Sequence, residues 1–163
     1  MERKVIEELK GWKDSPRRLP LLVSGARQVG KTYILREFGA ECFESVVYIN
    51  LETNRRAADC FEENLSPRQV LPYLEAVTGQ RVIPGKTLLI LDEIQSAERA
   101  LTSLKYFAEE APESHVAAAG SLLGVALNRN RYSFPVGKVE TLQLFPMDFE
   151  EFLWARERKQ LAQ

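Results

Sequence analysis

Apolar positions along the chain change period repeatedly, and the changes mark out alternating helices and strands. Residues 3–12 place Val5, Ile6, Leu9 and Trp12 at the spacing of one helical face, and the polar Asp14-Ser15-Pro16 turn ends it. Residues 19–24 form a near-continuous apolar run instead, the pattern of a strand covered on both faces. After a glycine-rich stretch, a helix carries Ile34, Leu35 and Phe38 inward and is expected to stop at Gly39, a residue suited to follow a helix end. Residues 45–51 read as a second strand. Residues 55–64 and 66–78 read as helices, the second opened by Ser66, Pro67 and Gln69 in capping-box spacing and kinked or interrupted at Pro72. The Pro84-Gly85 turn leads into a third strand at 87–92, and a helix over 98–111 presents Leu101, Leu104, Phe107 and Ala108 before Pro112 ends it. Residues 116–120 and 139–144 supply a fourth and a fifth strand. Strands and helices in this alternation predict βα units and a parallel sheet.

The last stretch, PMDFEEFLWARERK, predicts a helix from Asp148, with Glu151 in capping-box spacing. It displays Phe149, Phe152, Leu153 and Trp154, and an apolar patch of this kind usually has a partner. The helix either folds back on the sheet or precedes a following domain that is absent from this chain, and the second is the favoured expectation. Residues 1–146 then form the core, and 147–163 begin a truncated helical lid or following domain. A second subunit or a missing C-terminal domain would dock on Phe149, Phe152 and Trp154.

Composition narrows the class. At 163 residues, 45% hydrophobic and 28% charged, the chain matches one globular domain and excludes disordered and fibrous architectures. A net charge of -1 offers no global basic field for nucleic acid, although a local patch stays open. Cys42 and Cys60 lie far apart and His115 is the one histidine, which argues against a disulfide scaffold or a Cys/His zinc site and fits a reducing cytosol. The N-terminus lacks an uninterrupted apolar core and residues 116–127 are too short a run to span a bilayer. The expectation is a cytoplasmic protein with no membrane segment.

The chemistry lies in Gly25 to Thr32, GARQVGKT, which fits G-x-x-x-x-G-K-[ST] at every position, with a strand before it and a helix after. Gly25 and Gly30 permit close approaches that a Cβ would block, so successive amides can wrap a phosphate. The helix starting near Gly30 adds its N-terminal dipole and unpaired N–H groups. Lys31 would bridge terminal phosphates and Thr32 would offer its hydroxyl to Mg2+. The expected nucleotide-binding stretch is Gly25, Ala26, Arg27, Gln28, Val29, Gly30, Lys31, Thr32 and Tyr33. A glycine-bearing turn with a surface lysine is the competing reading.

LLILDE supplies the second piece, because four apolar residues build a buried strand that delivers Asp92 and Glu93 to the end where ligands bind in open α/β sheets. Asp92 is placed to hold Mg2+, and Glu93 to accept a proton from the attacking water or orient it. The adjacent glutamate points to hydrolysis of ATP, and neither D-x-x-G nor the guanine-reading N-K-x-D is present. Ser121, after the fourth strand, would reach the γ-phosphate or the water, or would cap the next helix. Arg129, Arg131 and Lys138 lie in an acid-free segment; each is either a solvated charge or a finger that neutralises the transition state. Asn50 and Glu52 lie at the same sheet edge and are assigned a structural role.

LKGWKDS and RxLPLLVSGARQVGKT, followed by YINLE, LLILDEIQ, AGSLLG and SFPVGKVETLQLFPMDFEEFL, together resemble the AAA-like P-loop ATPases of bacteria and archaea whose longer chains continue into a C-terminal domain of unknown function. The resemblance implies an α/β fold of the P-loop NTPase kind, three layers α/β/α around a parallel five-stranded sheet of order 5-1-4-3-2. It also implies ATP with Mg2+, Lys31 and Thr32 at the phosphates and metal, Asp92 and Glu93 as the acidic pair, and Ser121 at the sensor position. Family members often carry arginine where this chain has Lys138. The leading function is ATP hydrolysis driving a conformational change in a partner or downstream domain, with low activity in the isolated chain. The alternative is a nucleotide-binding switch or interaction module with negligible hydrolysis. A kinase is disfavoured by the acidic pair.

Overall fold

The computed structural model describes residues 2–25, 30–121, 137–145, 153–154 and 156–157. Five parallel strands form its centre: β1 Leu21–Ser24, β2 Ser45–Asn50, β3 Thr87–Asp92, β4 His115–Gly120 and β5 Glu140–Gln143. Their order is β2-β3-β4-β1-β5, the expected 5-1-4-3-2 read from the other edge. In register, Leu21 faces Ala117 on one side and Glu140 on the other, while Asn50 pairs with Asp92.

β3 and β4 are buried at every position, and alternate side chains go to opposite faces of the sheet. Leu88 and Ile90 pack with α1 (Glu2–Asp14) and α2 (Lys31–Cys42), through Leu9, Trp12, Ile34 and Phe38. Leu89 and Leu91 pack with α3 (Arg55–Glu63), α4 (Pro67–Thr78) and α5 (Glu98–Glu110), through Phe61, Leu74, Leu104 and Phe107. Two helical layers therefore enclose the sheet, as the three-layer expectation requires. Phe38 and Phe61 are fully enclosed, one on each side, and burial of such a side chain is worth about 1.5–3 kcal/mol.

Several boundaries differ from those expected, each for a local reason. β1 starts at Leu21, not 19, because Pro20 has no N–H for the ladder; its carbonyl still accepts the Glu140 amide at 2.9 Å. α2 does not stop at Gly39 but runs on to Cys42. A Cβ at Gly39 would sit 2.5 Å from Val46 Cγ2 and 3.1 Å from Leu88 Cδ2, so this glycine serves close helix-to-sheet approach and not helix termination. α4 continues through Pro72, where Pro72 and Arg68 are both exposed and water can serve the carbonyl that loses its helical partner. The capping box at Ser66 does not form: its carbonyl accepts the Gln69 and Val70 amides, while its hydroxyl donates to Glu110 Oε1 at 2.9 Å.

Cys42 and Cys60 are free thiols. No described helix is long and apolar enough to cross a membrane. Residues 153–154 and 156–157 are helical, whereas Asp148 and Glu151 lie outside the described residues.

Candidate functional site

The C-terminal ends of β1, β3 and β4 meet at one place. The chain leaves β1 for β2, beyond β4 and β3, whereas β4 connects to β5 on the opposite side of β1, so a crevice opens where the connections diverge. Gly25 follows β1, Asp92 ends β3 with Glu93 next to it, and Ser121 follows β4. A cleft of about 280 Å³ lies there, lined by Gly30, Lys31, Thr32, Tyr33, Asp92, Glu93 and Ser121.

Gly30 starts the local geometry with a left-handed backbone, φ 85° and ψ 21°, as N-cap of α2. It offers no side chain to the helix amides, and α2 has no acid in its first turn, so the positive end of the helix is open to an anion. Lys31 is 8% exposed and donates from Nζ to the Gly25 carbonyl at 3.0 Å, spanning the two ends of the glycine-rich loop. Burial lowers the Lys31 pKa, while the charges of Glu93 and then Asp92 oppose that shift. Ser121 Oγ is buried with no hydrogen-bond partner among the described residues, on the cleft wall. A buried hydroxyl left open in this way has donor and acceptor capacity for a ligand.

The buried Asp92 carboxylate is the centre of the polar network. Its Oδ2 accepts the Thr32 hydroxyl at 2.5 Å and also the Tyr48 hydroxyl, and its Oδ1 accepts the Glu93 amide at 2.9 Å. Tyr48 comes from β2, next to β3, with the Arg36 guanidinium 4.5 Å from its ring centroid. Burial and the bond to Asp92 push the Tyr48 pKa up to about 12. Thr32 and Asp92 present oxygen donors suited to Mg2+, which binds through one or two protein groups and completes its shell with phosphate and water. Among the described residues no group of three or more His, Cys, Asp or Glu side chains forms a metal cage.

Glu93 has φ 53° and ψ 47°, the one non-glycine residue at positive φ among those described. The Gln95 amide donates to its Oε2 at 2.6 Å. Neither Tyr48 nor Gln95 was singled out from the sequence. Tyr48 sits in the apolar run SVVYIN, where an aromatic reads as filler until the strand order is known, and Gln95 follows the acids in DEIQ without a charge to mark it.

Gly25, Gly30, Lys31, Thr32, Tyr33, Asp92, Glu93 and Ser121 are thus brought together. Ala26, Arg27, Gln28, Val29, Arg129, Arg131, Phe149 and Phe152 lie outside the described residues. Lys138 Nζ lies 3.7 Å from Glu109 Oε1 of α5. Asn50 Oδ1 accepts the Glu52 and Thr53 amides and shapes the turn after β2, the structural role assigned to it. Trp154 is 65% exposed. Arg156 Nη1 lies 2.6 Å from Glu37 Oε2 and donates to the Tyr33 hydroxyl at 2.7 Å, tying the C-terminal helical residues to α2 beside the cleft.

Solved structures share this architecture at low identity. Similar are the Orc1 protein of Aeropyrum pernix in complex with DNA (17% identity, TM-score 0.56, 97% of this chain and 48% of that one) and the Walker-type ATPase PABY2304 of Pyrococcus abyssi (21%, 0.50, 97% and 57%). Drosophila ORC bound to AT-rich DNA and Cdc6 is a third (16%, 0.50, 90% and 55%). The chain spans about half the length of these proteins. No curated protein matches it significantly. The family model described as AAA domain matches residues 17–153, which contain the glycine-rich loop, the acidic pair and Ser121, and the chain therefore belongs to the AAA domain family.

Proposed function

We propose that the domain binds ATP with Mg2+ in this cleft and hydrolyses it to ADP and phosphate. The observation that carries the reading is the convergence, on one cleft, of Lys31 at a helix N-terminus, the Thr32–Asp92 oxygen pair, Glu93 and the unpartnered Ser121 hydroxyl. Nucleotide binding of the ATPase kind is the family-level expectation for an AAA domain. Thr32 and Asp92 would hold Mg2+, which would supply positive charge to offset the charge developing on the phosphates.

Lys31 would leave the Gly25 carbonyl for the phosphates, and the α2 amides would receive the same charge. Glu93 takes a proton from water or orients it as the water oxygen bonds to the γ-phosphorus and the bond to the β–γ bridging oxygen breaks, releasing ADP. Ser121 would hydrogen-bond the γ-phosphate or the water. Ala26, Arg27, Gln28, Val29 and Tyr33 complete the cradle in this reading, and Arg129 or Arg131 is the charge-neutralising finger, in cis or from a neighbouring subunit. Adenine is the assigned base, since the guanine-reading motif is missing.

Residues 1–146 act as the core, and 147–163 as the start of a lid or following domain whose aromatics, including the exposed Trp154, dock a partner. The contacts of Arg156 with Glu37 and Tyr33 give nucleotide occupancy a route to that segment. Nucleic acid is included among the partner classes, because two structures sharing the fold were solved with DNA. Glu93→Gln is expected to spare ATP affinity and slow phosphate release by about a hundredfold. Wild-type turnover no faster than that of Glu93→Gln would contradict hydrolysis and leave a nucleotide-binding switch.

A further inference from the structure

We infer that Gln95 is a positioning residue that holds the Glu93 carboxylate in place for its reaction with water; the inference rests on the hydrolysis reading above. The backbone geometry comes first. Left-handed φ and ψ at Glu93 turn the chain out of β3 into a 3-10 turn over Ile94–Ser96, so the side chain two residues on comes back to meet that of Glu93. The turn is fixed at both ends in the apolar core, by Ile94 at 0% exposure and Ala97 at 4%, and is closed by Ser96 N to Glu93 O and Ala97 N to Ile94 O at 3.0 Å each. Gln95 therefore reaches Glu93 from a rigid base, and its Nε2 donates to Oε2 at 2.6 Å.

The other end of the same amide shows what that contact displaces. Gln95 Oε1 is buried with no hydrogen-bond partner among the described residues. Reversing the amide would set its carbonyl against an acceptor-only carboxylate, so the orientation follows from Glu93 and leaves Oε1 unsatisfied. A residue chosen for stability alone would be apolar at this position, because a buried amide satisfied at only one end is a poor substitute for packing.

Electrostatics supply the reason for a tether. Lys31 and Glu93 line the same cleft. A triphosphate in the cleft would draw Lys31 toward itself and place several negative charges before the Glu93 carboxylate. An untethered carboxylate would swing away from them. A neutral amide donor holds it without adding a positive charge that would compete with Lys31.

The test is Gln95→Met, which keeps the length and removes the donor, made in the wild type and in Glu93→Gln. Turnover, ATP affinity by calorimetry and melting temperature are measured for all four proteins. Gln95→Met is expected to lower kcat at least tenfold, change the ATP Kd less than twofold and leave the melting temperature unlowered. In the Glu93→Gln background the same change should alter residual turnover less than twofold, because Gln95 acts through Glu93. A signature independent of turnover is the Gln95 side-chain amide resonance, which should shift on Glu93→Ala. Full kcat in Gln95→Met, or an equal loss in both backgrounds, would overturn the positioning role while hydrolysis itself stood. Wild-type turnover no greater than that of Glu93→Gln would sink both.

Discussion

At Asp92 one carboxylate gathers donors from three elements: Thr32 of α2, Tyr48 of β2 and the amide of Glu93. A buried acid is tolerable only when its lone pairs are met this fully, and the same bonds aim it at the cleft. His115, where β4 begins, stands in a contrasting environment. It lies edge-on to Trp12 and Phe43, its Nε2 donates to the Lys13 carbonyl at 3.3 Å, and its Nδ1 is buried without a partner among the described residues. Burial, with the positive charge of Arg18 next, lowers its pKa below the usual 6.5. A depressed folded-state value means that the unfolded chain takes up the proton first. Stability is therefore complete above about pH 6.5 and falls as the pH drops from there toward the folded value. His115→Phe should accordingly show a smaller fall in melting temperature between about pH 7.5 and 5.5 than the wild type; parallel slopes would assign the pH dependence to other groups.

Among the elements, the strands were the most legible, because residues such as Leu88 to Leu91 must be apolar on both faces and nothing competes with that pattern. Helix ends were less so. Gly39 carries a local stop signal, but its reason for being glycine is Val46 of a strand not yet formed when the helix is read alone. Tyr48 and Gln95 carry no local signal for the same cause: a partner across the sheet, or across a turn with left-handed backbone, is not written in their own spacing. Gly39→Ala tests the argument at this scale. Alanine is the better helix former by about 1 kcal/mol, yet its methyl would meet Val46 Cγ2 at 2.5 Å. Overpacking, about 1–3 kcal/mol, is expected to outweigh that gain, with a net loss of up to about 2 kcal/mol by urea denaturation. A more stable variant would show that α2 lifts from the sheet without penalty.

For the molecule as a whole, sheet order and family membership place the glycine-rich loop, the acidic pair and Ser121 at one crevice, although these segments are far apart in sequence. The glycine-rich loop and the acids were legible beforehand because each motif holds its residues within a single strand-to-helix or strand-to-turn junction. The central claim is that this crevice binds a nucleotide through its phosphates, and calorimetric titration with ATP in the presence of Mg2+ tests it most directly. Saturable binding is expected in the wild type, weakened at least tenfold by Lys31→Ala, equivalent to about 1.4 kcal/mol. Equal affinity in the two proteins, or no binding by the wild type, would contradict it.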